Sequence, residues 1–566
     1  MRSVKHVLLG SAAGICAVAS AQAADLPVKA KPVEYVKVCS LYGAGFWYIP
    51  GTDTCIKVGT FTKEQISFGG AGSGAGIGLT NGGASGDPGG REDIIDTSQF
   101  GILARGSVSF DLRTQTDFGT LRQYLDVGSQ FAASDAFGGN AAPSANGLFV
   151  DRAFMQFAGF TFGQMRSFFD IFFAGPYGMA QVRTSNDTAP AGIIGLAYTL
   201  QLGGGWSLSV SGEDSGATSN GRSLTTTNLN LATWGPPGTT ISATPFQIGG
   251  VNPEVAGANF FDPVLNLRLD QAWGYIAASA ALHSASGGNY TSYTPNCNML
   301  AGGTVAITAL SAAPGLAGAT NGTAAPLANG GCGALQGTDV FGHPAQAYGY
   351  AFNAGFTLTN FLGMQGDSIG GQAVYSKGAV GYATKSGSSF LYGAGNSIGL
   401  GTVVDGIFEN GSNVQLTQVI SYSLGYEHFW TPKIRTGILG GEYFVNYDGA
   451  AVNMICNGPN GPTAPLGFTG AAYLQTVNTA NTNSMFTGGV SNCNPNYSWA
   501  QAGVRLAYNP VPDLDIMFGF DWEHINTAFS GSAVLPASGG RPSGIYTIKN
   551  QDMLIGSFRV QRTFLY

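Results

Sequence analysis

The sequence is short of charged residues, of histidine and of long apolar runs. Only 10% of its 566 residues are charged, and five are histidines. A soluble protein carries about 25% charged residues on average, so this composition disfavours a soluble enzyme. After the first 23 positions, no apolar run reaches the length of a membrane-spanning helix, and helical membrane spans are therefore excluded.

Motifs for catalysis and metal binding are also missing. The chain has no HExxH, no GxSxG and no phosphate-binding P-loop with its lysine. No CxxC pair or mixed Cys/His cluster has the spacing of a zinc site. We therefore expect no enzyme activity, no metal and no cofactor. The net charge of −7 argues against nucleic acid as a partner, because nucleic-acid binding needs a basic face.

The N-terminus has the pattern of a secretion signal. Arg2 and Lys5 precede an apolar stretch that ends in a small-residue cleavage site at residues 21–23. We expect residues 1–23 to be removed and the mature chain to begin at Ala24. Loss of the two basic residues changes the net charge from −7 to −9.

The mature chain keeps an even number of cysteines, which in an exported protein suggests disulfide bonds. The six residues are Cys39, Cys55, Cys297, Cys332, Cys456 and Cys493. Several connectivities are possible, and the sequential one is the simplest because each pair is close in sequence.

The residues that are abundant suggest a membrane β-barrel. Glycine accounts for 87 residues and aromatic residues for 11%, which suits neither a disordered chain nor a soluble enzyme. An exported, weakly charged chain of this kind without helical spans is typical of an outer-membrane barrel. A secreted β-sandwich is the alternative.

Alternation of apolar and polar residues supports the barrel. In residues 414–428 the even positions are mostly apolar or aromatic, whereas the odd positions are mostly polar. A strand between lipid and water requires this period of two. Aromatic residues at the ends of the apolar faces, as in an interfacial girdle, favour the barrel over the sandwich.

The pattern predicts an all-β fold: a 16-stranded antiparallel transmembrane barrel with short periplasmic turns and long external loops. The expected strands lie near 54–68, 99–116, 119–131, 147–159, 160–173, 190–202, 206–214, 262–270, 272–283, 346–358, 368–384, 413–430, 431–448, 497–510, 512–527 and 546–566. Links after even strands are short, and links after odd strands are long and rich in small residues.

The chain ends in an aromatic strand. Phe564 and the terminal Tyr566 share one face of it, which resembles the signal read by the outer-membrane assembly machinery. The expected location is thus the bacterial outer membrane, where the barrel would meet the lipid bilayer and lipopolysaccharide.

Two further segments resemble a known family. They are "VEYVKVCSLYGAGFWYIPGTDTCIKVG" near the start and "DRAFMQFAGFTFGQMRSFFD" at residues 151–170. With the aromatic final strand, they are similar to the general porins of alphaproteobacteria, the Brucella and Rhizobium type. The resemblance implies a homotrimer of sixteen-stranded barrels with a passive diffusion pore and a third external loop folded into the lumen.

This resemblance divides the chain into three parts. After the signal peptide 1–23, residues 24–53 would form an N-terminal segment on the periplasmic side, and 54–566 would form the barrel. We expect a Cys39–Cys55 disulfide to hold the N-terminal segment beside the closing seam near Tyr566. Its aromatic residues are expected at the membrane interface or on a neighbouring subunit.

Candidate pore residues follow from the same comparison. The third loop, about 174–190, would offer Asp170, Arg183 and Asp187 to the constriction, and 167–173 would leave the strand to enter the lumen. The opposite wall would carry Arg105, Arg113, Arg122, Arg152 and Arg166, because arginine facing lipid costs about 2–4 kcal/mol. The alternatives are solvated loop charges and, for the arginines, structural pairing with neighbouring carboxylates.

The predicted function is an outer-membrane porin, a passive water-filled channel for small hydrophilic solutes and ions. Selectivity would come from pore width and from the charges that face each other across it. A substrate-selective channel, or a surface adhesion or structural barrel with binding loops, remains the alternative.

Overall fold

The computed structural model describes most of the chain beyond the N-terminal region. The described residues are 38–68, 100–133, 147–179, 188, 192–214, 222, 226–228, 260–288, 299–300, 304–305, 343–384, 389–409, 411–457, 490–492, 494–535 and 544–564. The signal-peptide prediction for residues 1–23 lies outside them.

Sixteen antiparallel strands form one closed sheet, as the alternation predicts. The strands are β1 (Thr54–Phe68), β2 (Phe100–Thr116), β3 (Gly119–Ala133), β4 (Gly147–Phe157), β5 (Phe160–Met165), β6 (Ile193–Gly203), β7 (Trp206–Glu213), β8 (Asp262–Gln271), β9 (Gly274–Ser284), β10 (Tyr348–Thr359), β11 (Ser368–Lys377), β12 (Gln418–Thr431), β13 (Ile434–Asn446), β14 (Tyr497–Tyr508), β15 (Leu514–Asn526) and β16 (Gln551–Phe564).

The sheet closes between its first and last strands. One edge of β1 pairs with β2 along its whole length, from Thr54 opposite Thr114 to Phe68 opposite Phe100. The other edge pairs with β16 from Thr60 opposite Phe564 upward. Because every strand has two neighbours, the backbone polar groups are paired within the sheet, as a bilayer requires.

The two faces of the sheet differ in polarity. On β12, Ile420, Tyr422 and Leu424 point outward and are exposed, whereas Ser421 and Ser423 point inward and are buried. Apolar residues therefore face the lipid, and polar residues face the lumen. Seven short turns join the strands at one end. In the turn between β6 and β7, Gly204 and Gly205 have positive φ values of 61° and 88°, which glycine adopts readily.

Two strands end earlier than the sequence predicts. We expected strands at 160–173 and 368–384, but β5 ends at Met165 and β11 ends at Lys377. In both places the next residues leave the sheet and pack inside the barrel, as the buried Phe169 and Tyr382 show.

Short elements lie outside the barrel wall. The strands are Trp47–Tyr48, Thr227–Asn228, Met299–Leu300, Thr304–Val305, Ser389–Ala394, Ser397–Thr402, Gly406–Phe408, Gln415–Leu416, Val490–Asn492, Ser530–Leu535 and Gly544–Ile548; the helical turns are Ser40–Tyr42, Phe361–Gly363 and Val380–Tyr382; and the α-helix is α1 (Gly449–Asn457). None of the helices in the described part of the chain has the length and apolar character needed to cross a membrane.

The N-terminal segment lies beside the seam. Cys39 and Cys55 form a disulfide with a Cα–Cα distance of 6.1 Å. Trp47 and Tyr48 pair with β1 at Ile56 and Cys55, on the edge that β16 leaves free below Thr60. The segment therefore covers an otherwise unpaired strand edge. The other sequential pairings lie outside the described residues or, for Cys456, concern a side chain that is not described.

Two aromatic residues of this segment, Tyr42 and Phe46, pack inside the barrel, whereas we expected its aromatic residues at the membrane interface or on a neighbouring subunit. Phe46 is buried against the disulfide. The Arg113 guanidinium, on the inner face of β2, lies 4.8 Å from the Phe46 ring and 5.6 Å from the Tyr42 ring. These rings therefore pack inside the periplasmic mouth, because the disulfide attaches them to an inward-facing position of β1.

We predict that the double variant Cys39→Ser/Cys55→Ser destabilises the barrel. A disulfide that closes a loop of this length contributes about 3 kcal/mol in the chain-entropy model. The temperature at which the folded band disappears in a gel mobility assay should fall. Ser40→Ala, an exposed neighbour with no disulfide role, serves as the control. An unchanged transition in the double variant would contradict the prediction.

Candidate constriction and pore lining

Loop 3, residues 166–192 between β5 and β6, leaves the wall at its first residue. Glu213 at the end of β7 accepts hydrogen bonds from Ser167 Oγ at 2.5 Å and from the Phe168 amide at 2.8 Å. These bonds turn the chain toward the lumen. The loop therefore begins at residue 166, eight residues before the expected boundary at 174. The reason is that Glu213 binds Ser167 and Phe168 directly after β5.

The first half of loop 3 crosses the inner wall. Tyr275 on β9 donates its hydroxyl to the Ile171 carbonyl at 2.8 Å. Asn353 on β10 donates to the Phe169 carbonyl at 3.1 Å. Inward-facing polar side chains thus hold the backbone of the loop at positions where it has no strand partner.

Two arginines hold residues 175–179 of the loop. Arg505 on β14 donates to the carbonyls of Gly175, at 2.9 Å, and Pro176. Arg559 on β16 donates to the Met179 carbonyl at 3.1 Å. Residues 166–179 of loop 3 thus follow the lumen side of the sheet from β9 round to β16.

A row of inward-facing glycines gives the loop its space. A Cβ atom at Gly425 would lie 2.4 Å from the Tyr177 ring, and one at Gly519 would lie 2.8 Å from the Met179 sulfur. The same crowding occurs at Gly355, Gly370 and Gly437. Glycines at inward-facing positions of several strands are a sequence signal that a loop packs against the wall there. We did not identify this signal from the sequence.

Asp170 is buried rather than open to the pore. Its side chain has no solvent exposure and accepts hydrogen bonds from Arg222, at 2.5 Å, and from the Thr188 amide, at 2.8 Å. The carboxylate therefore holds the loop together.

Arg222 belongs to loop 4, residues 214–261, and nothing near it in sequence identifies its role. Burial alone would lower the pKa of Arg222, but the adjacent Asp170 carboxylate outweighs burial and the pKa lies above its ordinary value. Arg222 thus stays charged as the partner of Asp170. The two other predicted loop charges, Arg183 and Asp187, lie outside the described residues.

Arg105 stands on the opposite wall, on β2. It pairs with Asp151 on β4 and donates to Gln130 at 3.3 Å. Its guanidinium also lies 4.0 Å from the Phe149 ring. A carboxylate and an aromatic face together fix the orientation of this cation.

Arg113 and Arg122 share one carboxylate. Both make two hydrogen bonds to Asp111, at 2.8–3.0 Å. Arg122 also donates to Gln156 at 3.0 Å. These arginines lie on adjacent strands in cross-strand register, and the sheet brings them together as the sequence parity predicts.

A β-bulge decides the position of Arg152. Asp126 pairs with Arg152 and Val127 pairs with Val150, so Asp151 is an extra residue that no residue of β3 opposes in the register. The bulge turns both Asp151 and Arg152 to the lumen and reverses the parity of β4 beyond it. This explains why Arg152 and Phe154 share one face.

Arg166 is not a member of the wall. It stands at the start of loop 3, where it donates to the Phe172 carbonyl at 3.2 Å and lies 3.8 Å from Asp170. The prediction placed it on the fifth strand, but that strand ends one residue earlier.

The wall turns positive charge toward water. The side chains of Arg105, Arg113 and Arg122 are 17%, 26% and 27% exposed, whereas those of their partners Asp151 and Asp111 are 7% and 9% exposed. The guanidinium groups are thus more exposed to the lumen than the carboxylates they pair with.

Two lysines extend this surface, and our sequence reading omitted them. Lys57 and Lys63 share the inward parity of β1, opposite Asp111 and Arg105.

Among the described residues, no group of three or more side chains is arranged to hold a metal ion.

Comparisons with known proteins identify the family. The sequence model of the porin subfamily matches residues 25–557. The chain belongs to the porin subfamily. This assignment, together with the closed barrel, places the protein in the bacterial outer membrane and favours a channel over an enzyme.

Curated relatives of this porin include porin Omp2b of Brucella suis and of Brucella abortus strain 2308. The first is 28% identical over 291 residues, which cover 50% of this chain and 67% of the relative. The second is 28% identical over 292 residues, covering 50% and 66%. The chain thus spans about two thirds of these relatives' length.

Solved structures with a similar course include the outer membrane channel DcaP of Acinetobacter baumannii, with a TM-score of 0.48 and 12% identity over 91% of this chain and 99% of that one. The trimer form of OmpT of Vibrio cholerae has a TM-score of 0.38 and 7% identity, covering 91% and 100%. The family assignment does not depend on either.

We predict that Gly425→Val disturbs the porin by forcing Tyr177 from its seat. Overpacking of this kind costs about 1–3 kcal/mol, so the heat stability of the folded barrel should fall. The matched control is Gly440→Val, because Gly440 faces outward and the nearest atom to its added Cβ would be 3.5 Å away. Equal heat stability of the two variants would contradict the packing of Tyr177 against Gly425.

Proposed function

We propose that the protein is a passive pore for small hydrophilic solutes and ions that prefers anions. Its constriction lies between loop 3 and the inward-facing wall of β1–β4. The observation that supports this proposal is the greater exposure of the arginines than of their carboxylate partners. Charges that face water in a narrow pore dominate permeation, whatever the net charge of the whole chain.

The balance of charge on this wall is positive. The inward-facing cations of β1–β4 are Lys57, Lys63, Arg105, Arg113, Arg122 and Arg152, and the inward-facing carboxylates are Asp111, Asp126 and Asp151. Six cations against three carboxylates leave a formal charge of +3 on the wall. An anion that passes is attracted by this surface, while a cation is repelled.

The wall is also held in place. Arg122 lies between the Asp111 carboxylate and the rings of Tyr124 and Phe154, which are 5.3 Å and 5.2 Å from its guanidinium. Ordered charges provide a fixed field without reorganisation when a solute arrives. The inferred constriction therefore discriminates by charge without binding the solute tightly.

We predict that Lys63→Glu lowers the anion preference. The substitution changes the formal charge of the wall from +3 to +1, because five cations then face four carboxylates. The reversal potential of the purified protein in a planar bilayer with a salt gradient should shift toward cation selectivity. Lys63→Gln should give a shift of about half this size, since it removes one charge rather than two.

The matched control is Lys433→Glu. Lys433 is exposed in the turn between β12 and β13, so the same change in charge occurs far from the wall. A shift as large in Lys433→Glu as in Lys63→Glu would contradict the assignment of selectivity to the wall.

A homotrimer is the assembly we propose. The outward face of β1 carries exposed Thr60, Thr62 and Glu64 between the apolar residues Val58 and Ile66. A carboxylate within the apolar band is unfavourable against lipid. Contact with a neighbouring subunit would provide the polar surroundings that lipid lacks.

We predict that Glu64→Leu distinguishes a subunit interface from a lipid-facing position at this residue. If Glu64 lies at a subunit interface, the trimer band in mild detergent should dissociate at a lower temperature than in the wild type. Ser129→Leu, another outward-facing polar position on β3, is a comparison for the general effect of added apolar surface. A trimer that is unchanged or more heat-stable in Glu64→Leu would place this residue against lipid.

The remaining expected partners follow from the location. Phe564 is exposed on the outward face of β16, in keeping with an aromatic terminal strand that the assembly machinery recognises. Tyr566 lies outside the described residues. Lipid surrounds the apolar band, and lipopolysaccharide would contact the external rim.

A further inference from the structure

Much of the described part of loop 6, residues 378–417 between β11 and β12, is buried although the loop connects strands at the external end. Val380, Val404 and Ile407 have no solvent exposure. All six residues of the strand Ser397–Thr402 are buried as well. External loops normally lie on the surface, so a buried one needs an explanation.

The explanation is that loop 6 fills part of the barrel mouth. Its apolar side chains form one hydrophobic cluster with inward-facing residues near the external ends of the strands, among them Ala351 on β10, Val374 on β11 and Val419 on β12. These positions would face water in an open pore. They are alanine and valine because they pack against the loop.

Loop 6 is attached to one side of this sector by buried polar contacts. Tyr382 donates its hydroxyl to Asp262 at the start of β8, at 2.8 Å. His283 on β9 lies 2.8 Å from Asp262 and 3.5 Å from Asp405 of the loop. All of these groups are almost fully buried, so the contacts exclude water.

The loop is attached to the other side as well. Tyr447, just after β13, donates to the Thr402 carbonyl at 2.6 Å. Gln551 at the start of β16 donates to Ser397 at 3.1 Å. Loop 6 therefore reaches from β8 to β16, which is about half the circumference of the barrel.

Loop 3 closes the same sector at the level below. The Phe169 ring packs edge-on against Tyr382 of loop 6, with centroids 4.7 Å apart. The Arg222 guanidinium lies 4.4 Å from the Tyr382 ring and binds Asp170. Loops 3, 4 and 6 thus meet in one packed body.

We propose that loop 6 is a fixed internal partition that closes the β8–β16 side of the barrel, so that solutes cross only along β1–β7. The open path is then off-centre and much narrower than a sixteen-stranded barrel allows. Loop 6 thereby sets the size limit of the pore, while the charged wall sets its preference. This inference rests on the proposed channel function.

Cysteine accessibility in the full-length chain tests the partition. Ala351→Cys places a thiol on the inner wall beneath loop 6, at a position without solvent exposure. Gln115→Cys places one on the inner face of β2, at an exposed position. A charged, water-soluble maleimide should label Ala351→Cys at least about tenfold more slowly, because a buried thiol is inert. The wild-type chain gives the background from native cysteines.

Removal of the loop provides the second measurement. Residues 379–416 are replaced by a short Gly-Ser linker, and single-channel conductance is measured in planar bilayers. Conductance should rise at least about twofold, because it depends on the open cross-section. Ala351→Cys combined with this deletion should label rapidly.

The outcomes distinguish this inference from the function on which it rests. A wild-type protein without conductance would refute the proposed pore. A conducting wild type with equal labelling rates at the two cysteines, or with unchanged conductance after loop removal, would overturn the partition alone. If the deletion variant does not fold, the labelling rates in the full-length chain decide.

Discussion

Closure of the sheet between β1 and β16 is the constraint on which the rest of the structure depends. In lipid, a backbone N–H or C=O without a partner costs several kcal/mol, so no strand edge can remain open within the bilayer. The pairing of β1 residues from Thr60 to Phe68 with β16 removes the last open edge. Below Thr60, Trp47 and Tyr48 pair with the same edge, and the Cys39–Cys55 disulfide keeps them there.

Closure creates an interior, and the interior is divided unequally. Along β9–β16, inward-facing glycines and small or apolar residues leave room for loops 3 and 6, and polar side chains such as Asn353 and Arg505 bind loop 3. Along β1–β4 the wall carries arginines that are partly exposed and paired with buried carboxylates. Space for the loops on one side and partly exposed arginines on the other are the basis of the off-centre, positively lined passage that we propose.

Local patterns explain why much of this was predictable. A strand between lipid and water must alternate, so residues such as 420–424 of β12 reveal their faces from sequence alone. Turns at one end must be short and loops at the other can be long, which gives the strand count. The inward direction of Arg105, Arg113 and Arg122 followed from the same period. The period misleads where a bulge interrupts it, as at Asp151, and where the chain leaves the wall, as at Arg166.

The sequence by itself therefore determined the barrel, its strand number, its seam and the direction of most wall arginines, because each depends on neighbours two residues apart or on a link of known length. Only the tertiary structure decided what fills the lumen. Asp170 meets Arg222 across 52 positions, and Asn353 meets the carbonyl of Phe169 across 184. Such pairs have no period, since they arise where three-dimensional closure brings distant loops against the same wall.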